Sequence, residues 1–413
     1  VTGSAGNPEP GARAPQRKGR FPRPRRYPLA VRFVIVVGVM SFFADFTYEG
    51  SRSILGQYLG LLGAGTLTIA VISGLGELLG YGLRLLSGPG ADRTGWYWPI
   101  TIGGYVLQMS AVPLLALATS WQFAAVLVIL ERIGKAIRNP PRDAMLSHAA
   151  AGMGYGWAFG IHEALDQFGA MIGPLVIALA LAVSAHDYRL AFAVLAVPAA
   201  LMLALLVAAR FLYPRPQDFE STNTATNGPG HPRMFRVYVV ATALVAMGFA
   251  DFPVMAFHFQ QNGVPTVITP IFYASAMAVS GAGSLAFGRL FDRVGIGLLV
   301  PLTVIAAVYA PLAFLGGFWP SLIGSCLWGL GIGVHESIIP AAVGSMVPPA
   351  RRASAYGILT GSYGIAWFAG SVAIGALIGV SFPAVVSFSV AIQLAAIPLL
   401  LVVRRERRPA RAR

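Results

Sequence analysis

The sequence predicts an all-α membrane protein of twelve transmembrane helices in two pseudo-symmetric six-helix bundles. Three observations carry this. The 413 residues are 56% hydrophobic and only 11% charged, against about 25% charged in soluble domains. The apolar residues gather in twelve runs, each near the roughly 20 residues that cross a bilayer as a helix. Three short patterns of the first half also return in the second at nearly one spacing.

The runs, bounded by charge, Gly or Pro, lie at 29–51, 64–87, 97–118, 121–138, 154–184, 187–211, 234–259, 266–288, 297–317, 319–346, 353–378 and 381–403. In hydrocarbon each must be helical, because every backbone N–H and C=O has to be satisfied within the segment. Residues 1–28 are rich in Pro, Gly and Arg, lack an apolar stretch and read as a disordered basic cytoplasmic tail. Residues 29–211 form the N-terminal bundle, 212–233 a polar cytoplasmic linker, 234–403 the C-terminal bundle and 404–413 a second basic tail.

With the N-terminus inside and the runs alternating, only Arg52 and Arg189 of the 30 Lys and Arg fall outside. That is the positive-inside pattern. It predicts a multi-pass protein of the cell (plasma) membrane with both termini cytoplasmic. The net charge of +14 therefore lies in loops and tails rather than on one face of a folded domain, which argues against nucleic acid as a partner. The single cysteine, Cys326, excludes an internal disulfide and a multi-cysteine metal site. The Gly-rich stretches GLGELLGYG and GLGIGVHE lie mid-run with no preceding strand and read as helix contacts, not nucleotide loops. No cofactor is expected.

Half of the sixteen acidic residues sit inside apolar runs: Asp45, Glu49, Glu77, Glu131, Glu163, Asp166, Asp251 and Glu336. Each costs about 2.5–3.5 kcal/mol at a helix centre, so they should face a bundle interior or a water-filled cavity. Asp45, Tyr48, Glu49 and Arg52 share one face of the first run at i, i+3, i+4 and i+7. His162 and Asp166 share a face of the fifth, with Glu163 one step around, and His335 and Glu336 lie mid-way along the tenth. Arg132 reaches the same depth as Glu163, which predicts a pair with Glu163 or Asp166. Lys135 and Arg138 are expected at the membrane surface, as is His258 near the outer end of the seventh run. Tyr48, Trp157, Tyr363 and Trp367 are candidate cavity aromatics.

The halves repeat each other. FAD-F at 43–46 returns at 249–252, the pattern Gly-x-x-x-Asp-Arg-x-Gly of 88–95 at 288–295, and AFGI of 158–161 as AYGI at 355–358. A duplicated polytopic chain points to a transporter with its site between the halves.

Twelve runs, a central linker, two similar halves and Gly88, Asp92, Arg93 and Gly95 after the second run together resemble the major facilitator superfamily. Gly160, Gly169, Gly173 and Pro174 match the fifth-span pattern of its drug–proton antiporters. That pattern ends in Gly-Gly, where this chain has Ile177-Ala178. The resemblance implies the family fold, alternating access, the ability to work as a monomer, and proton-coupled export of a small organic solute; it does not imply an enzyme. Protons would be carried by Asp45, Glu163, Asp166 and Glu336. Tyr48, Glu49, Glu77, Arg132, His162, Asp251 and His335 would meet substrate. Gating would fall to Gly88, Asp92, Arg93, Gly95, Gly288, Asp292 and Arg293, and to Gly169, Gly173 and Pro174. Two alternatives use the same residues: transport of a divalent metal, and an intramembrane metalloenzyme built on His162, Glu163 and Asp166, by analogy with His-Glu-x-x-His.

Overall fold

A computed structural model describes residues 26–185, 187–219, 232–250, 252–261, 264 and 269–406. Among these every regular element is helical. The first half contains α1 (Arg26–Leu61), α2 (Thr66–Gly82), α3 (Arg84–Thr94), α4 (Tyr97–Leu114), α5 (Trp121–Ala150), α6 (Tyr155–Val183), α7 (Tyr188–Val194) and α8 (Ala196–Leu212). The second contains α9 (Pro232–Met247), α10 (Phe252–Gln261), α11 (Thr269–Val294), α12 (Leu299–Ala307), α13 (Tyr309–Leu315), α14 (Phe318–Gly333), α15 (Ile339–Met346), α16 (Arg352–Ile378) and α17 (Phe382–Glu406). A π-helical turn, Val334–Ile338, joins α14 to α15.

Among the described residues, the twelve predicted apolar runs lie mostly on helix. Eight described segments are long and apolar enough to cross a membrane, and one of them, Ile271–Leu315, takes in two of the predicted runs. The runs outside these segments have visible reasons. The second is divided between α2 and α3, the fourth carries Glu131, Arg132, Lys135 and Arg138 on α5, and the seventh is divided between α9 and α10.

α5 corrects one boundary. It does not stop near residue 138 but runs through Pro140 and Pro141 to Ala150. Each internal proline removes a backbone hydrogen bond; packing neighbours hold such a helix together in a bilayer. Ser120 caps its start by accepting from the Phe123 amide.

Helix packing relies on small residues, as expected where lipid removes the hydrophobic drive between helices. Gly169 and Gly173 of α6 lie directly against the Phe42 and Phe46 carbonyls of α1. A methyl group at either would collide with that backbone. These glycines therefore seat α6 on α1 within the N-terminal half.

The apolar core shows where the halves meet. One cluster, including Phe33, Tyr105, Phe159, Phe291 and Tyr356, spans both halves at the end that carries the basic loops. Toward the opposite end the core divides in two: Tyr58, Phe192 and Ile177 in the first half, and Phe249, Tyr309 and Trp328 in the second. The halves are thus joined at the basic end and separate at the other.

Candidate functional site: a central cavity above a reciprocal seam

The basic end is fastened twice, by the same device used in both directions. Asp92, near the end of α3, accepts hydrogen bonds from the Ala353 and Ser354 amides at 3.2 and 2.6 Å, in the first turn of α16. Asp292, near the end of α11, accepts from the Gly156 and Trp157 amides, both at 2.8 Å, in the first turn of α6. A helix start leaves amides unpaired and carries partial positive charge, so a carboxylate fits there.

The repeated Gly-x-x-x-Asp-Arg-x-Gly pattern can be read residue by residue. Its first glycine permits backbone contact across the seam: Gly88 lies on the Ala353 carbonyl, and Gly288 on that of Gly156. Its aspartate holds the other half. Its last glycine, Gly95 or Gly295, adopts φ of +69° or +72° and turns the chain out of the helix. The structure has a helix, α3, continuing through Pro89 to Thr94, and the latch is made of carboxylates on amides. Arg93 and Arg293 are exposed.

Above the seam lies a cavity of about 600 Å³. Its N-terminal wall is charged: Asp45, Glu49, Arg52, Arg84, Lys135, Arg142, Asp143, Glu163 and Asp166 all line it. Its C-terminal wall is aromatic, with Phe252, Tyr273, Trp328, Tyr363, Trp367 and Phe368, and carries one carboxylate, Glu336, beside His335. Carboxyl oxygens of Glu163, Asp166 and Glu336 lie within 4.8 Å of one another, so the acids of the two halves meet. The π-helical turn of residues 334–338 presents Glu336 there. Such turns recur at functional sites because they re-aim a side chain without ending the helix.

Contacts fix most of the neighbours. Lys135 Nζ stands 3.8 Å from Asp45 and over the Tyr48 ring at 3.7 Å. Asp45 is also a near neighbour of Asp166. Arg142 grips Asp143 at 2.7 Å and reaches Ser41 Oγ at 3.4 Å. That same oxygen faces His162 Nε2 at 2.7 Å. Gln167 donates to Glu163 at 2.6 Å, and Tyr363 meets His335 Nδ1 at 2.6 Å. Glu49 faces Arg52 at 3.4 Å.

Several expectations change. Arg132 is bonded to Tyr48 Oη and lies 3.4 Å from Glu131, one layer behind the cavity, rather than against Glu163 or Asp166. α6 turns Glu163 toward Gln167 and the C-terminal half. Lys135 lines the cavity, and Arg138, only 1% exposed, donates to Gln108 and Tyr105. Both therefore face the protein interior rather than its outer surface, and α5 continues about three turns beyond Arg138. His258 is buried against Phe314 and Phe382. Trp157 sits at the basic end under Arg289, not in the cavity. His162 stands apart from the three clustered acids, so the residues proposed for a metalloenzyme are not gathered into one ligand set. Asp251 lies outside the described residues, and Glu77 falls on α2 with its side chain outside them. Sequence reasoning missed Arg142, Asp143 and Gln167; the first two recur at i+7 and i+8 from Lys135, a signal hidden by ending α5 too early.

The profile of the Major Facilitator Superfamily matches residues 103–342. The chain belongs to the major facilitator superfamily. Within it, an uncharacterized protein of Mycobacterium tuberculosis is 40% identical over 385 residues, covering 92% of this chain and 94% of the relative. An uncharacterized MFS-type transporter of Methanocaldococcus jannaschii is 25% identical over 269 residues, 63% of this chain and 67% of its own. Among solved structures, the major facilitator superfamily transporter FucP in the outward conformation superposes with a TM-score of 0.67 at 14% identity, over 94% of this chain and 100% of FucP. The major facilitator fold is that of a membrane-embedded transporter of small molecules.

Proposed function

We propose that the protein is a secondary active transporter that exports a small organic solute by alternating access, driven by protons. The carrying observation is the gathering of Glu163, Asp166 and Glu336 within 4.8 Å at the junction of the two halves. Like charges so close, away from bulk water, repel strongly. A proton held among them relieves the repulsion, and so does one shared between the neighbours Asp45 and Asp166. When the halves rock, the separation and hydration of these acids change together, so protons are taken up on one side and released on the other.

Orientation follows from charge. The closed end carries the basic loops, and the positive-inside rule makes it cytoplasmic; the cavity then faces outward in a plasma membrane. An exporter in this posture has released its solute and takes a proton to reset. The moving units are the bundles of residues 29–211 and 234–403, and Asp92 and Asp292 hold them closed inside. The proposed cycle needs only the two halves of one chain, so a monomer suffices for it. FucP, a fucose:proton symporter of Escherichia coli, has the same fold and couples it to protons by symport.

The test is proton flux in proteoliposomes carrying a pH-sensitive dye. Addition of a transported solute should move protons in the wild type and fail to do so in Asp166→Asn. Solute movement without any proton movement, at every imposed gradient, would end the coupling claim.

A further inference from the structure

The reciprocal seam fixes how the halves correspond, position by position. Asp92 holds the amides of Ala353 and Ser354, and Asp292 those of Gly156 and Trp157. The first pair lies 197 positions after the second, as AYGI lies after AFGI. At that offset Tyr356 is the counterpart of Phe159, and Arg352 that of Tyr155. Each of these residues touches its own counterpart. The Phe159 and Tyr356 rings lie 5.9 Å apart. Arg352 donates from Nη2 to Tyr155 Oη at 2.9 Å, with its guanidinium 5.5 Å from the ring centre. In a two-fold arrangement a residue meets its own counterpart only on the axis. The axis relating the two bundles therefore passes between Tyr155 and Arg352.

The surroundings of the pair are exchanged in the same way. Tyr155 is the first residue of α6 and Arg352 the first of α16. The Tyr155 ring lies against Gly344 of α15, where a methyl group would collide with it. Arg352 reaches Ser147 Oγ of α5 at 3.5 Å, and Ser147 is the counterpart of Gly344. Each half thus sets the first residue of its helix into the same place in the other. A strict duplicate would put two tyrosines or two arginines there, like against like. The chain instead has a cation facing a phenol, which offers it both an acceptor oxygen and a ring face. Arg352 is also tied within its own half, to the Gly344 carbonyl at 3.0 Å and that of Val347 at 3.3 Å. It is only 3% exposed, so closing the seam seals a cation from water. Taking an acceptor from a buried cation destabilises the state that buries it.

We infer that Tyr155 and Arg352 form a third fastener of the basic end, placed on the axis between the two aspartate latches. The inference rests on the rocking halves of the transport reading. When the basic end opens, Tyr155 leaves with the first half. Arg352 stays on the carbonyls of Gly344 and Val347 and meets water at the inner mouth.

Two measurements on the full chain in lipid nanodiscs test this. Spin labels on α3 and α16, with Cys326 replaced, read the balance between closed and open basic ends. Tyr155→Phe keeps the ring and removes only the hydroxyl; it should shift the balance toward open by about tenfold. Tyr155→Arg sets two cations face to face and should shift it further. Combining Tyr155→Arg with Arg352→Tyr restores unlike partners and should return most of that shift. An unchanged balance in Tyr155→Phe overturns the fastener, as does an exchange no more closed than Tyr155→Arg alone. The second measurement leaves the pair intact, so it decides the point even where those variants fail to fold. Phenylglyoxal modifies guanidinium groups that meet water, and mass spectrometry reads each site. Arg352 should react about tenfold faster in Asp92→Ala than in the parent, following the open population, whereas the exposed Arg93 should react alike in both. Equal rates at Arg352, with the labels showing that Asp92→Ala opens, overturn the assignment. Labels that show no opening in any variant remove the rocking on which both readings rest. Opening in Asp92→Ala without it in Tyr155→Phe removes the fastener alone. Neither readout involves proton movement, so loss of coupling leaves the fastener standing.

Discussion

The two halves descend from one pattern and use it alike at the seam but differently in the cavity. At the basic end their roles are interchangeable: Asp92 takes the amides of Ala353 and Ser354, and Asp292 takes those of Gly156 and Trp157. In the cavity they have diverged. The N-terminal wall holds carboxyl groups and basic side chains, whereas the C-terminal wall holds rings and one acid, Glu336. Symmetry is kept where the halves must part and rejoin, and lost where a solute must be told from a proton. The division assigns proton handling mainly to the first half and shape recognition mainly to the second.

The sharpest way to break that division is to neutralise one wall at a time. Asp166→Asn should lower solute-coupled proton flux in proteoliposomes by about a hundredfold or more, within the range seen when an essential proton-transfer group is removed. Trp367→Leu should leave each transported solute accompanied by its proton and raise the half-saturating solute concentration instead, because it removes contact area and no charge. If the tryptophan variant uncouples the two fluxes, the division of labour is wrong.

The next largest effect concerns the symmetric region. Asp92→Ala or Asp292→Ala removes two hydrogen bonds across the seam to a charged group, each worth about 1.5–3 kcal/mol. Either change should therefore shift the balance between closed and open basic ends by about tenfold or more. Distances between spin labels on α3 and α16, and on α6 and α11, would read the shift, with Cys326 replaced beforehand. The two variants should shift it by similar amounts. A large inequality would show that the duplication preserves geometry without preserving energetics.

A smaller effect separates support from function. Arg138→Met leaves the buried Gln108 oxygen unpaired, at a cost of about 1–3 kcal/mol. The thermal unfolding midpoint in detergent should fall by several degrees. The smallest effect belongs to Arg52, whose side chain is 48% exposed beside Glu49. Arg52→Ala should stay within about 0.5 kcal/mol of the parent in stability, as exposed pairs do.

Much of this was legible from the chain alone. Apolar runs located the helices because a bilayer leaves the backbone little choice. Burial cost singled out Asp45, Glu163, Asp166 and Glu336 as residues of one cavity. The repeat identified Asp92 and Asp292 together. What it hid has two causes. Helix ends are poorly marked where neighbours supply the missing hydrogen bonds, so Pro140 and Pro141 looked like a stop and Arg142 and Asp143 were lost behind it. Contacts between distant segments leave no local trace. Arg132 at the depth of Glu163 is a statement about height, and the rotation of α5 and α6 gives Arg132 to Tyr48 and Glu163 to Gln167 instead. Similarly, nothing near Asp92 indicates that its partners are amides some 260 positions away.

The meeting of Gly156 with Gly288 bears on wear. Where two helices touch through bare main chain, nothing at that point must choose a rotamer on each approach, so little side-chain freedom is frozen when the contact forms. The joint works like a smooth hinge plate rather than a toothed clasp: it reseats without searching, and fatigue in repeated cycling is confined to the few carboxylates that bolt it shut.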